Sequence, residues 1–146
     1  MFSFLFVFVF GVGEKNYVKL YYTDGKIKEE GWMTNNNKTD YWYCYYENGK
    51  TKGEGSFENN IRSKYWKFYT ADGNKQMEGR FKNGLANDWW VFYKNNSVWC
   101  KAEYSSGKKN GYTLYYTKGN ISKVEKYRAG IKTGEWTDLA SFKRDN

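Results

Sequence analysis

The side chains that could do chemistry are few, and several of them recur along the chain. The sequence contains no His and only two Cys, Cys44 and Cys100. Nucleophile pairs that need His, and zinc sites built from His or from four Cys, are therefore excluded within this chain. Glu30, Glu54 and Glu78 could in principle supply a carboxylate pair, but they recur every 24 residues and so follow a repeat. Because catalysis needs a unique constellation in a concave pocket, we predict a protein that is not an enzyme, with no catalytic, cofactor or metal site and no small-molecule substrate.

The repeat has a period of 24 residues, and its clearest copy covers residues 65–84. Each copy reads aromatic, Trp, any residue, apolar, Tyr, followed by a turn and a second segment that contains Gly and an aromatic. The Trp position falls at Val18, Trp42, Trp66, Trp90, Tyr112 and Trp136, and the Tyr position at Tyr21, Tyr45, Tyr69, Tyr93 and Tyr115. The turn glycines are Gly25, Gly49, Gly73 and Gly119. Self-similarity at one period indicates a repeat architecture.

Alternation of side chains within each copy predicts β-strands, and Asp-Gly or Asn-Gly between strands predicts two-residue hairpin turns. Turns at 24–25, 48–49 and 72–73 set the register, which gives the opposed pairs Val18–Gly31, Trp42–Gly55 and Trp66–Gly79. An indole that lies flat on a sheet needs a neighbouring strand without a Cβ beneath it. We therefore expect each ring to cover the glycine of the strand that follows it.

Later copies depart from this pattern. A three-residue loop over 95–97 keeps Trp90 opposite Ala102, whereas the fifth copy places Tyr112 opposite Glu125 and so loses the ring cover. Cys44 and Cys100 are expected five strands apart, about 24 Å, which is too far for a disulfide. We predict two free thiols that pack as small apolar groups.

The same register assigns the conserved positions of the repeat to two faces. One face is expected to carry Trp42, Trp66 and Trp90 together with both cysteines. The other is expected to carry Tyr21, Tyr45, Tyr69, Tyr93 and Tyr115, interleaved with Lys19 and Lys67. Opposite charges across the ladder pair Lys19 with Glu30 and Lys67 with Glu78.

The ends of the chain differ from the repeat array, which we place at 14–137. Residues 1–13 contain a nine-residue apolar run, too short for a membrane span of about 20 residues but typical of the core of a signal peptide. No Lys or Arg precedes the run, and Phe at every second position from 2 to 10 would equally suit an edge strand. We favour export to the cell envelope over a cytoplasmic location and keep the strand as the alternative. Residues 138–146 are expected to form a polar tail.

The columns W-x-x-Y-x-x-x-G and G-x-F-x-x-G, from Tyr17 to about Thr137, resemble the MORN repeat. They are most similar to the bacterial variant found in YwqK-type antitoxins of toxin–antitoxin systems. The resemblance implies an all-β fold, an elongated single-layer antiparallel β-meander of about five tandem 24-residue hairpins. For function it implies an antitoxin or immunity-type protein that masks a cognate toxin, but no residue can be carried over as a toxin contact.

A formal net charge of +8 favours an acidic partner or an anionic surface. We predict a non-enzymatic protein-binding module whose tyrosine face, with Lys19 and Lys67, binds the partner, because Tyr is a favoured interface anchor. The alternative is an exported cell-envelope protein that binds anionic lipid or glycan through the same basic aromatic surface; nucleic-acid binding is not expected, although aromatic rings beside lysines also suit it. A structural explanation stays open as well, since lysines keep a sheet soluble and cross-strand packing alone accounts for a tyrosine column.

Overall fold

The computed structural model describes residues 13–145, so the prediction made for the apolar N-terminal segment lies outside the described residues except at Gly13. Eleven strands pair in chain order in one open antiparallel sheet, which confirms the all-β meander. A short helix, α1 (Leu139–Asp145), follows the last strand. The strands are β1 (Lys15–Tyr21), β2 (Ile27–Thr34), β3 (Asn37–Tyr45), β4 (Thr51–Glu58), β5 (Ile61–Tyr69), β6 (Lys75–Lys82), β7 (Leu85–Lys94), β8 (Ser97–Ser105), β9 (Lys108–Thr117), β10 (Asn120–Arg128) and β11 (Ile131–Trp136).

Two kinds of turn join the strands. Seven connections are two-residue turns with positive φ at both residues, at 35–36, 59–60, 83–84, 95–96, 106–107, 118–119 and 129–130. The two-residue turns predicted at 24–25, 48–49 and 72–73 are wrong, because only their glycines, Gly25, Gly49 and Gly73, have positive φ. In each case the closing backbone bond spans a three-residue loop, as from the N–H of Thr70 to the carbonyl of Asn74 at 2.9 Å. An Asp-Gly pair also fits a type I turn followed by a left-handed glycine, and that is the geometry found here.

The predicted register survives because a β-bulge follows each of these loops. Around the third loop, Tyr69 pairs with Lys75, whereas Phe68 pairs with Met77. The extra residue in the bulge offsets the extra residue in the loop, so all three predicted pairs are present: Val18–Gly31, Trp42–Gly55 and Trp66–Gly79. In the fourth hairpin the loop is one residue shorter than predicted, 95–96 rather than 95–97. A bulge supplies the missing residue, so Trp90 still lies opposite Ala102.

Each indole covers a glycine, but on the strand that precedes it. We call the side of the sheet that carries Trp42, Trp66 and Trp90 the Trp face, and the opposite side the Tyr face. A Cβ added to Gly55 would lie 2.4 Å from Cδ2 of Trp66, and Gly31 beneath Trp42 and Gly79 beneath Trp90 show the same close approach. The expected direction of the cover was therefore wrong. A middle strand has a glycine opposite its Trp on both sides, and register alone does not choose between them.

A second, wider bulge determines which of the two glycines the indole covers. Gly55 pairs with Trp66, whereas the next residue, Ser56, pairs with Ser63, so two residues of β5 have no partner in β4. The Trp66 indole N–H reaches this irregularity and donates to the Ser56 carbonyl at 2.9 Å. Trp42 donates to the carbonyl of Trp32 at 2.9 Å, and Trp90 to that of Arg80 at 3.2 Å. The ring therefore packs on the glycine while its N–H satisfies a backbone acceptor, a contact that a phenyl ring could not make.

Most of the core lies on the Trp face; Val124, buried on the Tyr face near the C-terminal end of the sheet, is the exception among the buried apolar residues of 13–145. Trp66 is fully buried although no second sheet layer covers this face among residues 13–145. Neighbouring side chains supply the cover: Phe68 stacks at 5.6 Å, Phe57 packs edge-on at 5.1 Å, and the Arg62 guanidinium lies 4.8 Å from the indole. Cys44, whose thiol is free, packs against the same cluster, and the free thiol of Cys100 is buried further along the face.

The fifth copy is displaced by one residue from its expected position. Tyr112 pairs with Lys126 rather than with Glu125, because a bulge between Ile121 and Lys123 shifts the register. Thr113, which is fully buried and pairs with Ala102, therefore occupies the Trp column.

This displacement moves two predicted residues to the opposite face. Tyr115 pairs with Cys100 and lies on the Trp face, not on the Tyr face. Trp136 pairs with Val124 on the Tyr face instead of extending the Trp column. The fourth step of the repeat is 23 rather than 22 residues long, because it runs from Trp90 to Thr113 and not to Tyr112; the aromatic pattern could not reveal a Thr at this position.

The segment expected to be a polar tail contains α1. Asp138 caps the helix, since its Oδ1 accepts the Ser141 backbone N–H at 2.7 Å. The Phe142 ring packs edge-on against Tyr112 at 5.7 Å and against Trp136 at 5.4 Å. The helix therefore covers the Tyr face at the C-terminal end of the sheet.

Candidate functional site

A layer of carboxylates underlies the Tyr face. The Tyr45 hydroxyl donates to Glu30 at 2.6 Å, that of Tyr69 donates to Glu54 at 2.8 Å, and that of Tyr93 donates to Glu78. The three Glu side chains are only 13–16% exposed. Burial, followed by the hydrogen bond to Glu78, raises the pKa of Tyr93 to about 12. The same causes raise the pKa of Tyr45 and of Tyr69.

The two lysines predicted to bind a partner are paired with these carboxylates. Lys19 Nζ lies 3.6 Å from Glu30, as expected. Lys67 faces Glu78 in the ladder, but its Nζ lies 3.7 Å from Glu54 on the other neighbouring strand. Lys75 provides the partner of Glu78, at 3.4 Å. The charges of this layer are therefore matched within the sheet.

The predicted binding residues thus separate into three environments. Tyr45, Tyr69 and Tyr93, with Lys19 and Lys67, form the half-buried polar layer just described. Tyr21 is exposed and donates no hydrogen bond within the described part of the chain, where β1 has no preceding strand to supply a Glu. Tyr115 lies on the other face. Whether any of them contacts a partner stays a prediction.

A different set of rings is exposed on the Tyr face. In the first four copies the residue before the Trp position is aromatic, and these residues form one column across every second strand. We call them the ring row: Tyr17, Tyr41, Tyr65 and Trp89, which are 46%, 39%, 42% and 39% exposed. Alternation in a strand places the residue before a buried Trp on the opposite face. The same 24-residue spacing could therefore have identified this row from the sequence.

Two further exposed rings widen the row at its N-terminal end. Trp32 packs edge-on against Tyr17 with ring centroids 5.3 Å apart, and Tyr43 packs against Tyr41 at 5.3 Å. Row members lie two strands apart, about 9.6 Å, so the four rings extend over about 29 Å. Several exposed aromatic rings aligned on one face are typical of an interaction site.

The charged groups beside the row also form pairs. Lys15 bonds to Asp40, and Arg80 lies 3.7 Å from Asp88. These two pairs therefore add no net charge beside the exposed rings.

The Trp face contains one buried carboxylate outside the repeat. Glu125 is 4% exposed and accepts hydrogen bonds from Lys123 at 2.9 Å, Tyr115 at 2.8 Å and Tyr127 at 2.9 Å. Burial opposes ionisation, but these hydrogen bonds outweigh it and lower the pKa of Glu125 to about 2. A carboxylate that stays ionised and fully paired is unsuited to proton transfer near neutral pH. The cluster stabilises the part of the face where the Trp column ends.

Among residues 13–145, no group of three or more His, Cys, Asp or Glu side chains could hold a metal ion. In the same part of the chain, no helix is long and apolar enough to cross a membrane. No family model matches the sequence, and a search of curated proteins found no match. The similarity to the MORN repeat therefore stays a prediction.

Proposed function

We propose that this chain is a non-enzymatic protein-binding module and that the ring row is its interface. The observation that carries the proposal is the row itself: four half-exposed rings at equal spacing on one face of a continuous sheet. Tyr and Trp give a large contact area at a small cost in side-chain entropy and are enriched among the residues that dominate binding energies. Because neighbouring strands hold each ring's backbone, little ordering is needed on binding.

The partner would be recognised mainly through apolar contact. Since Lys19, Lys67 and Arg80 are already paired with carboxylates, binding should depend only weakly on salt. This differs from the expectation of a strongly acidic partner that the net charge had suggested. An antitoxin that masks a toxin is one case of the proposal, and the proposal then requires the toxin to present an apolar patch to the row.

The test uses a partner purified from the host, or the product of a neighbouring reading frame, titrated against the full chain. Tyr65→Ala together with Trp89→Ala should weaken binding by about tenfold or more. Trp99→Ala is the matched control, since Trp99 is 42% exposed but packs against Tyr115 on the Trp face. Unchanged affinity in a double variant that keeps the wild-type circular dichroism spectrum would refute the proposal.

A further inference from the structure

Helix α1 already occupies the place where the ring row continues. Tyr112 precedes Thr113 of the Trp column, as Trp89 precedes Trp90, so Tyr112 is the fifth position of the row. The Phe142 ring lies edge-on to Tyr112, with centroids 5.7 Å apart and planes at 77°. The protein's own fold therefore shows how a side chain from a helix sits on a ring of this row.

We propose, on the basis of the function proposed above, that the partner segment is an amphipathic helix that crosses the strands of the Tyr face. It places large apolar side chains on Tyr41, Tyr65 and Trp89 as α1 places Phe142 on Tyr112. The partner surface is continuous with the intramolecular interface of α1, since both belong to one column at a two-strand spacing. The partner helix lies beyond α1, towards the N-terminal end of the sheet.

The spacing of the rings specifies the pattern of the partner helix. Successive rings lie about 9.6 Å apart, because they are separated by two strands. A helix rises about 1.5 Å per residue, so seven residues cover about 10.5 Å, whereas four residues cover only about 6 Å. Seven residues also bring a side chain back to within about 20° of the same helix face. The helix should therefore carry apolar side chains at i, i+7 and i+14.

The twist of the sheet limits the length of the contact. Neighbouring strands are rotated by about 20° to 25°, so successive rings of the row are rotated by about 40° to 50° relative to one another. Over three rings the rotation adds up to about 80° to 100°, so a straight helix contacts no more than three of them. The side of the partner helix that faces the row should carry no charge. Groups beside the row such as Arg80 and Asp88 are already paired, so a charge on the helix would lose its hydration without gaining a partner.

The experiment measures binding of two labelled synthetic helical peptides to the full chain by fluorescence anisotropy. Both have the same composition, rich in Ala, Glu, Lys and Gln; one carries Phe at i, i+7 and i+14, and the control carries Phe at i, i+4 and i+8. We expect the seven-residue pattern to bind about tenfold more tightly or better. Trp89→Ala should abolish that preference, and Trp99→Ala should leave it unchanged. Equal binding of the two peptides, or a preference that survives Trp89→Ala, would overturn the inference.

A competition experiment separates this inference from the proposed function. The natural partner should be displaced by the seven-residue-pattern peptide, and its bound segment should show helical hydrogen-exchange protection. If Tyr65→Ala with Trp89→Ala releases the partner but the peptide does not displace it, the helix is refuted while the interface stands. If the same double variant leaves partner binding unchanged, the interface itself is refuted.

Discussion

The substitution Gly55→Ala tests how an indole can lie flat on a single sheet. A Cβ at this position would lie 2.4 Å from Cδ2 and 2.5 Å from Cγ of Trp66, closer than real Cβ atoms approach a neighbour. The backbone φ of Gly55 is not positive, so alanine itself meets no backbone strain. The whole effect must therefore come from displacement of the ring, which has to lift by about 1 Å to reach ordinary contact.

The cost has two parts. Forcing an extra carbon into a packed site typically costs about 1–3 kcal/mol of unfolding free energy. A lifted ring also draws its N–H away from the Ser56 carbonyl, now 2.9 Å from it, and loss of that hydrogen bond costs about 1–3 kcal/mol. Alanine restricts the unfolded chain more than glycine does, which offsets about 0.4–1 kcal/mol of this loss in unfolding free energy. We expect a net loss of about 2–4 kcal/mol, from the balance of these three contributions.

Denaturant unfolding followed by tryptophan fluorescence and circular dichroism measures this loss. The control is Ser56→Ala, one residue further along β4 on the Tyr face, for which we expect a change within about 0.5 kcal/mol. Combining Gly55→Ala with Trp66→Leu should make the alanine nearly neutral, because the ring that it displaces is gone. A Gly55→Ala protein as stable as wild type, or a cost that persists without the indole, would refute this explanation of the fold.

Three further predictions follow from hydrogen bonds described above. Trp66→Phe keeps the ring but loses the N–H bond to the Ser56 carbonyl, and should lower the unfolding free energy by about 1–3 kcal/mol in the same assay. The pKa of Tyr93 is raised from 10.0 to about 12, so its contribution to stability is fully present below the unfolded value and is lost as the pH rises towards 12; tyrosinate absorbance should show late ionisation that Glu78→Gln brings to lower pH. The pKa of Glu125 is lowered from 4.5 to about 2, so its contribution is present above the unfolded value and is lost as the pH falls towards 2. Glu125→Gln should therefore unfold more easily at neutral pH and show a smaller decrease in its denaturant midpoint over the acid range.

The sequence contained enough information to pair most of the strands, although the turns at 24–25, 48–49 and 72–73 and the loop at 95–97 were predicted wrongly. The opposed pair Trp66–Gly79 follows from the 24-residue period and from a turn centred near Gly73. The period cannot show that the loop has one more residue and that a bulge between Phe68 and Tyr69 compensates for it. The longer loop and the bulge offset each other within two residues, so the pairing in the interior of the strands is as predicted. At the fifth copy a single bulge stands without a compensating loop, and there the prediction fails by one residue.

The candidate site was less predictable, for a related reason. Tyr65 and Tyr69 lie on the same face and have the same period, so the pattern alone does not distinguish them. Their environments differ because Glu54 lies close enough to accept the Tyr69 hydroxyl, whereas the Tyr65 ring stands 42% exposed. That difference depends on the three-dimensional position of a carboxylate on a neighbouring strand. The exposure of each ring, and with it the choice of the proposed interface, therefore depends on the three-dimensional fold and does not follow from the repeat pattern.

The separation of the two faces explains how a single-layer repeat can fold and still leave aromatic rings exposed for the proposed partner. On the Trp face, rings such as Trp66 are fully buried by contacts within the sheet, so that face needs no partner for stability. On the Tyr face, carboxylates such as Glu54 accept hydrogen bonds from one tyrosine column, while the rings of the ring row stay exposed. Because each hairpin repeats this arrangement, the exposed rings are nearly equivalent and evenly spaced. A partner with one apolar anchor would gain little selectivity from such a surface, whereas a partner whose anchors match the two-strand spacing would engage several rings at once. Selectivity should therefore depend on the distance between anchors more than on the identity of any one of them.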